Sequence, residues 1–239
     1  MRSRRSLFGA LTLGSAVVLW LHNVSAGASA EDQLFSYRIL AEAGYASERK
    51  GFGDLSQFED QIKAILSVQD AVIKLAKEDA EIPFDHEREP KDVYELRRGL
   101  CYDRSRAIEK LLATLGFEVR HVAVYATGGI GVVPALLTPG NASHALTEVK
   151  TAKGWLAVDP NVRWVALTSA REPLTVGAIR GRDRTSTQWA AEVSAAPHPI
   201  FNGSYTYIRG LYSRHGRFYP PYGPIPDVNL WQLLQNFTS

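Results

Sequence analysis

One cysteine, one histidine and one aspartate in this chain stand where they could carry out nucleophilic chemistry. Cys101, the chain's single cysteine, lies where a polar stretch gives way to a helical pattern. The start of a helix stabilises a thiolate through the helix dipole and the unpaired N–H groups, and Arg98, Arg104 and Arg106 add positive charge nearby. His144 opens one apolar, strand-like run and Asp159 closes the next. Together they could supply a nucleophile, a base and a group that orients the base.

The first thirty residues are typical of a bacterial export signal. Arginines at positions 2, 4 and 5 precede an apolar run at residues 7–21, and Ala28–Ala30 is a small-residue cleavage pattern. The arginine pair also resembles a twin-arginine motif. Cleavage is favoured over retention as an anchor, because the run reaches the length of a membrane span only when His22 and Asn23 are included. Either way the body is expected in the periplasm or secreted, with membrane contact only if the segment is retained.

Composition limits the function classes further. The signal's three arginines leave 24 Lys and Arg against 25 Asp and Glu in the remainder, so we expect no nucleic-acid partner. A single cysteine cannot form an internal disulfide. Cys101 is therefore a buried apolar group, an intermolecular link or a reactive thiol, and its position favours the last.

Hydrophobic spacing predicts an α+β fold. Helices are expected at 31–47, from a Ser56 N-cap with Glu59 as its capping-box partner through Lys77, and from about residue 100 to a stop at Gly116. Strands are expected at 119–125, 144–149, 154–158 and 164–167, with a Gly- and Pro-rich loop at 127–141. Helices followed by neighbouring short strands argue against a regular βαβ repeat.

The domain prediction has three parts. Residues 1–30 are the signal, 31–170 a single domain, and 171–239 a C-terminal extension. The extension is rich in aromatic residues among Gly, Pro and Arg: Phe201, Tyr205, Tyr207, Tyr212, Phe218, Tyr219, Tyr222 and Trp231. We expect these rings to pack on the core; the alternative is a face that binds a glycan or peptide.

Three sequence blocks resemble the bacterial transglutaminase-like family. They are GLCYD at 99–103 with GFEVR at 116–120, HALTEV at 144–149, and GWLAVDP at 154–160. The resemblance covers roughly residues 56–168 and not the extension. It implies a papain-like core, in which the cysteine helix packs on an antiparallel sheet that carries the histidine and the aspartate.

The implied mechanism uses a Cys101–His144–Asp159 triad. His144 would take the thiol proton, Asp159 would hold the imidazole, and the thiolate would attack an amide of a protein or peptide, with the Cys101 N–H as an oxyanion donor. Water would complete a hydrolysis and an amine a transamidation. We expect no metal and no organic cofactor. The alternatives are an acetyltransferase of the arylamine type, or a non-catalytic scaffold in the assembly of an envelope or extracellular polymer.

The remaining histidines are weaker candidates. His86, His198 and His215 share no metal-ligand spacing. His121 is expected on the solvent side of its strand. The glycines at 128–131 lack the strand-to-helix context of a phosphate-binding loop.

Overall fold

The computed structural model describes residues 23–237, except 79, 84–85, 139, 181–186 and 213–226. Most of the expected export signal, His215 and the tail aromatics Phe218, Tyr219 and Tyr222 lie outside this part of the chain. Among the residues described, no helix is long and apolar enough to cross a bilayer.

The fold is α+β, as the sequence predicts: helices pack against a four-stranded antiparallel sheet. The strands are β1 (Val119–Ala126), β2 (Ser143–Thr151), β3 (Gly154–Val158) and β4 (Tyr205–Arg209), in the spatial order β3-β2-β1-β4. Leu211–Tyr212 (β5) and Asp227–Val228 (β6) form a small second sheet. The last strand of the four-stranded sheet, β4, comes from residues 171–239 and pairs with β1 along Val122–Ala126.

The helices precede the sheet for the most part. They are α1 (Ala30–Glu42), α2 (Phe58–Leu75), α3 (Pro90–Leu96), α4 (Cys101–Thr114), α5 (Val132–Leu137), α6 (Val176–Arg180) and α7 (Leu230–Leu234). Short 3₁₀ turns lie at Arg49–Phe52, Pro199–Asn202 and Gln235–Phe237.

Helix α4 is the centre of the structure. It contacts α1, α2 and α3 as well as β1 and β2, so every residue from Tyr102 to Leu112 is buried, the charged ones included. Buried charges are costly unless they are paired. Lys110 donates to Asp32 over 2.9 Å, and Arg106 donates to Glu89 over 2.7 Å. These pairs let a helix of mixed composition occupy the core.

Aromatic rings from the extension complete that core. Trp164 and Phe201 are fully buried, with ring centroids 5.8 Å apart, and Phe201 meets Tyr205 edge-on at 5.3 Å. Trp189 packs edge-on against Trp164 at 5.2 Å. Trp231, by contrast, is 72% exposed. The extension rings Phe201 and Tyr205 are therefore buried in the core as expected, whereas Trp231 is not.

Five local expectations were wrong. The stretch 127–141, which was expected to be a loop, contains helix α5. Helix α2 begins at Phe58 rather than directly after Ser56, and the Ser56 N–H donates to the Asp54 carboxylate instead of to Glu59 as a capping box requires. The first helix ends at Glu42, five residues early. The stretch 164–167 forms isolated bridges and no strand. His121 is 1% exposed, because the Tyr212 ring stacks on it at 4.2 Å.

Phe201→Ala should show whether the extension is part of the folding unit. Removing this fully buried ring leaves a cavity between Trp164 and Tyr205 and should cost about 3–5 kcal/mol of unfolding free energy. Phe237→Ala is the matched control, since that ring is 85% exposed and its loss should change stability by less than about 0.5 kcal/mol. Urea denaturation measures both. Equal, small effects would contradict a shared core.

Candidate active site

Cys101 is the first residue of α4, and its side chain is partly exposed. The chain before it is held against residue 77: the Lys77 N–H donates to the Arg97 carbonyl and the Gly99 N–H donates to the Lys77 carbonyl, each over 3.0 Å. Residue 99 must be small, because a Cβ there would lie 2.9 Å from the Cβ of Asp103. These contacts fix the place where the helix begins.

Asp103 holds the first turn of α4 through its carboxylate. Its Oδ2 accepts the Leu100 N–H over 3.0 Å and the Ile82 N–H over 3.3 Å. Burial raises the pKa of Asp103 to about 6, although these two hydrogen bonds and the charge of Arg88 oppose the rise. The first turn of α4 is thereby tied to the segment that follows α2.

Strand pairing brings His144 and Asp159 together. Residue 144 lies opposite Val124 on β1, and Thr147 pairs with Val158, the last residue of β3. Continued by one residue, this register places Asp159 on the same face of the sheet as His144, as a diagonal neighbour. His144 Nε2 lies 2.9 Å from Asp159 Oδ2, and both side chains are buried.

Two opposing effects set the charge state of His144. Burial alone would lower the pKa of its imidazole, but the hydrogen bond and negative charge of Asp159 outweigh it, with smaller contributions from the Cys101 side chain, and raise the pKa to about 9. Asp159 occupies Nε2, which leaves Nδ1 as the ring nitrogen available to Cys101. The site therefore favours an imidazolium.

The loop after β3 holds the Asp159 carboxylate in place. Asp159 Oδ1 accepts the backbone N–H groups of Asn161 over 2.8 Å and Val162 over 3.3 Å. From α2, the fully buried Gln69 donates through Nε2 to the carbonyl oxygens of Asp159 (2.7 Å), Val162 (3.1 Å) and Trp164 (2.7 Å). One amide group, whose two hydrogens are shared among three carbonyl oxygens, thus holds this loop against the helix.

Arg104 joins the same loop to α4. Its guanidinium is buried and donates to the Ala76 carbonyl over 2.6 and 3.1 Å and to Asn161 Oδ1 over 3.3 Å. Burial lowers the pKa of Arg104, against the charges of Glu78, Asp159 and Cys101. The expected positive charge near the thiol is therefore supplied by Arg104, whereas Arg106 is directed to Glu89 and Glu109.

A buried hydroxyl pair fixes the helix to the strand that carries His144. Ser105 Oγ lies 3.0 Å from Thr147 Oγ1, which donates to the Ser105 carbonyl over 3.0 Å. Thr147 is three residues after His144, and Ser105 is one helical turn after Cys101. This contact joins the turn of α4 that follows Cys101 to the strand that carries His144.

The structure adds His198, a residue whose sequence spacing bears only on metal binding. Its ring stacks on His144 with centroids 3.9 Å apart and planes 9° apart. Its Nδ1 accepts the Ile200 N–H over 3.2 Å and so caps the 3₁₀ turn at Pro199–Asn202. Burial and the charge of His144 lower the pKa of His198, so the ring covers His144 as a neutral imidazole.

Sequence reasoning had little chance of finding these supporting residues. Gln69 is one polar residue on a helix with many, and His198 lies outside the three motif blocks. The only local signal at His198 is the proline that follows it, which is typical of the start of a helical turn. Across the described ranges, no group of three or more His, Cys, Asp or Glu side chains has the arrangement of a metal site.

Comparison with known proteins agrees with the geometry. The family model of the transglutaminase-like superfamily matches residues 54–160, a range that contains Cys101, His144 and Asp159 and ends before His198. No match was found among curated proteins. The resemblance seen in the three sequence blocks is thus confirmed: residues 54–160 form a domain of the transglutaminase-like superfamily.

Proposed function

We propose that the chain is an exported thiol enzyme that hydrolyses or transfers acyl groups at amide bonds of a protein or peptide. Superfamily membership supports a papain-like cysteine enzyme in general terms. The observation that carries the proposal is the buried 2.9 Å contact between His144 and Asp159, beside a cysteine at the first position of a helix. Such an arrangement meets the geometric needs of a nucleophile with its base.

In the proposed mechanism the Cys101 proton passes to the ring nitrogen of His144 that Asp159 leaves free. The thiolate attacks the substrate carbonyl, and a tetrahedral oxyanion forms. The Cys101 N–H has no partner within the helix at this position, so it is available to the oxyanion. His144 then gives its proton to the departing amine, and the acyl group remains on sulfur as a thioester.

The second half of the reaction consumes the thioester. His144, now neutral, takes a proton from water or from an acceptor amine as that group attacks the carbonyl. The thiolate leaves and the acid or the new amide is released. Analysis of products in the presence and absence of a primary amine distinguishes the two outcomes.

Buried charge supports the enzyme over the non-catalytic scaffold. His144 and Asp159 are 2% and 0% exposed. Replacing a buried ion pair by apolar side chains is often neutral or stabilising, so a purely structural module has little reason to keep one. A catalytic pair has a reason, because its proton must move during the reaction.

The reactivity of Cys101 tests the proposed Cys–His pair. Near pH 6, iodoacetamide should alkylate the wild type about 10-fold faster than His144→Ala, because the imidazolium stabilises the reactive thiolate. Mass spectrometry of the peptide that carries Cys101 measures the rate. The unfolded proteins serve as controls and should react equally. If the folded variant matched the wild type, the proposed Cys–His pair would be wrong.

Asp159→Asn tests the group that orients His144. The reaction needs protonated His144 for the leaving amine, and this form is lost as the pH rises through the pKa of about 9. Without the carboxylate, burial is no longer opposed and the pKa falls. The alkaline decline in kcat/KM on a pool of aminocoumarin peptide amides should therefore move to lower pH, and kcat should fall by about 10³- to 10⁴-fold.

An unchanged alkaline decline in an active Asp159→Asn variant would show that the carboxylate does not tune His144. Asn161→Ala is the control, since it keeps the carboxylate while removing a neighbouring side chain of the same loop. Its alkaline decline should stay at the wild-type pH.

Two substitutions at His198 separate its ring from its cap. His198→Phe keeps a ring over His144 and loses the hydrogen bond to the Ile200 N–H, whereas His198→Asn keeps a capping oxygen and loses the ring. The ring keeps water from the His144–Asp159 hydrogen bond. His198→Asn should therefore weaken that hydrogen bond and lower kcat about tenfold, which corresponds to a loss of one pKa unit of interaction between the two side chains. His198→Phe should keep kcat and lose about 1 kcal/mol of stability. The opposite pattern would assign His198 to the cap alone.

A further inference from the structure

The C-terminal segment that contains α7 has the reverse of the usual orientation of a surface helix. Its polar side chains face the protein: Gln232 Oε1 accepts the His121 N–H over 2.9 Å, and Asn236 Oδ1 accepts the Arg209 N–H over 2.9 Å. Its large apolar side chains face outward. Trp231, Leu234 and Phe237 are 72%, 57% and 85% exposed, and we call these three residues the apolar patch.

The hydrogen bonds make this orientation specific. Gln232 is 3% exposed, and Asn236 also donates from Nδ2 to the Arg209 carbonyl over 3.0 Å. Rotating the segment to hide its apolar side chains would leave these backbone groups unpaired, at a cost for each buried one. A contiguous exposed apolar surface of this kind marks a site of contact with a partner or a membrane.

The chain enters the described structure directly beside this patch. Asn23 Oδ1 accepts the Leu230 N–H over 3.0 Å, and the Val24 N–H donates to the Val228 carbonyl over 2.7 Å. Asn229 Nδ2 returns a hydrogen bond to the Val24 carbonyl over 2.9 Å. Residues 23 and 24 are therefore joined to the first turn of α7.

Only His22 separates Asn23 from the apolar run at residues 7–21. As a helix, these 15 residues would extend about 22 Å, less than the roughly 30 Å of a bilayer's hydrocarbon core. A chain anchored by this run would have no flexible linker between the anchor and the folded part. The surface of the membrane would then lie at Asn23 or beyond, at the level of the apolar patch.

Residues 24–30 are also built into the fold, which argues against removal after Ala30. The buried Lys110 Nζ donates to the Gly27 carbonyl over 2.7 Å. Ser29 caps α1: its Oγ accepts the Asp32 N–H over 3.1 Å, and its own N–H donates to the Asp32 carboxylate over 2.8 Å. Cleavage at the small-residue pattern would delete all three contacts.

We propose that residues 1–30 are retained as a membrane anchor and that the apolar patch rests in the interfacial layer of the same bilayer. Tryptophan is enriched at that depth, where one end of its ring meets lipid and the other meets water. The proposed binding partner of the apolar patch is thus a phospholipid surface. This inference is independent of the proposed function, since no candidate active-site residue takes part.

The first arm of the test measures retention. The full chain is expressed in a bacterium, recovered from the membrane fraction and weighed intact by mass spectrometry. A mass that matches the whole 26.4 kDa chain is expected. A mature chain that begins at Glu31 would overturn the proposal.

The second arm measures the depth of the apolar patch. In a Cys101→Ser background, which leaves no other thiol, Phe237→Cys is labelled with an environment-sensitive fluorophore. The full chain is then reconstituted in phosphatidylcholine–phosphatidylglycerol vesicles that contain a headgroup nitroxide lipid. Ile130→Cys is the matched control, because Ile130 is 53% exposed and lies beyond the Ala126 end of β1, about 20 Å from the end that α7 contacts.

Quenching should be about twofold or more stronger at position 237 than at position 130, since only an interfacial label meets the headgroup layer. Leu234→Cys repeats the measurement in case the label at 237 disturbs the turn. Equal quenching at all three positions would overturn the proposal. Energy transfer between labelled copies, without lipid quenching, would also overturn it and assign the patch to a contact between two chains.

Discussion

The hydrogen bond between His144 and Asp159 makes the strongest demand on the structure, because it removes an ionisable pair from water. Both oxygens of the Asp159 carboxylate must be satisfied, and they are: Oδ2 meets His144 and Oδ1 accepts two backbone N–H groups. Removing one partner of such a pair costs about 3–5 kcal/mol, since the other charge stays buried. The loop at residues 159–164 must therefore keep one conformation.

Gln69 and Arg104 meet this requirement from two different helices. Gln69 binds three loop carbonyls with one amide, and Arg104 reaches from the cysteine helix to Asn161. Neither residue needs to touch a substrate to matter. Because a displacement of about 1 Å in reacting groups can cost 100-fold in rate, holding the loop is part of making the site work. Two helices before the sheet thus determine the position of an aspartate that follows it.

The sequence located the parts of the site that are local. A thiol at a helix start, a histidine that opens a strand and an aspartate that ends the next one are each visible in short stretches, and the antiparallel register does the rest. Gln69 and His198 act across about 90 and 54 residues of chain, where no periodicity records the contact. The expected capping box at Ser56 is absent for a related reason: the Asp54 carboxylate accepts the Ser56 N–H that Glu59 would accept in that motif. Which carboxylate binds this N–H is decided by geometry rather than by residue type.

Helix α4 connects the candidate nucleophile to the N-terminal part of the folded chain. Its first residue is Cys101, and its Lys110 binds both Gly27 and Asp32 near the start of the folded chain. Nine residues of helix separate these points by about 14 Å. If the N-terminal segment anchors the protein, the candidate nucleophile lies at one end of a helix whose other end is bound to the segment that follows the anchor. A helix of this kind transmits position without a hinge, so the height of the site above the membrane would be set by the fold itself rather than by a flexible linker.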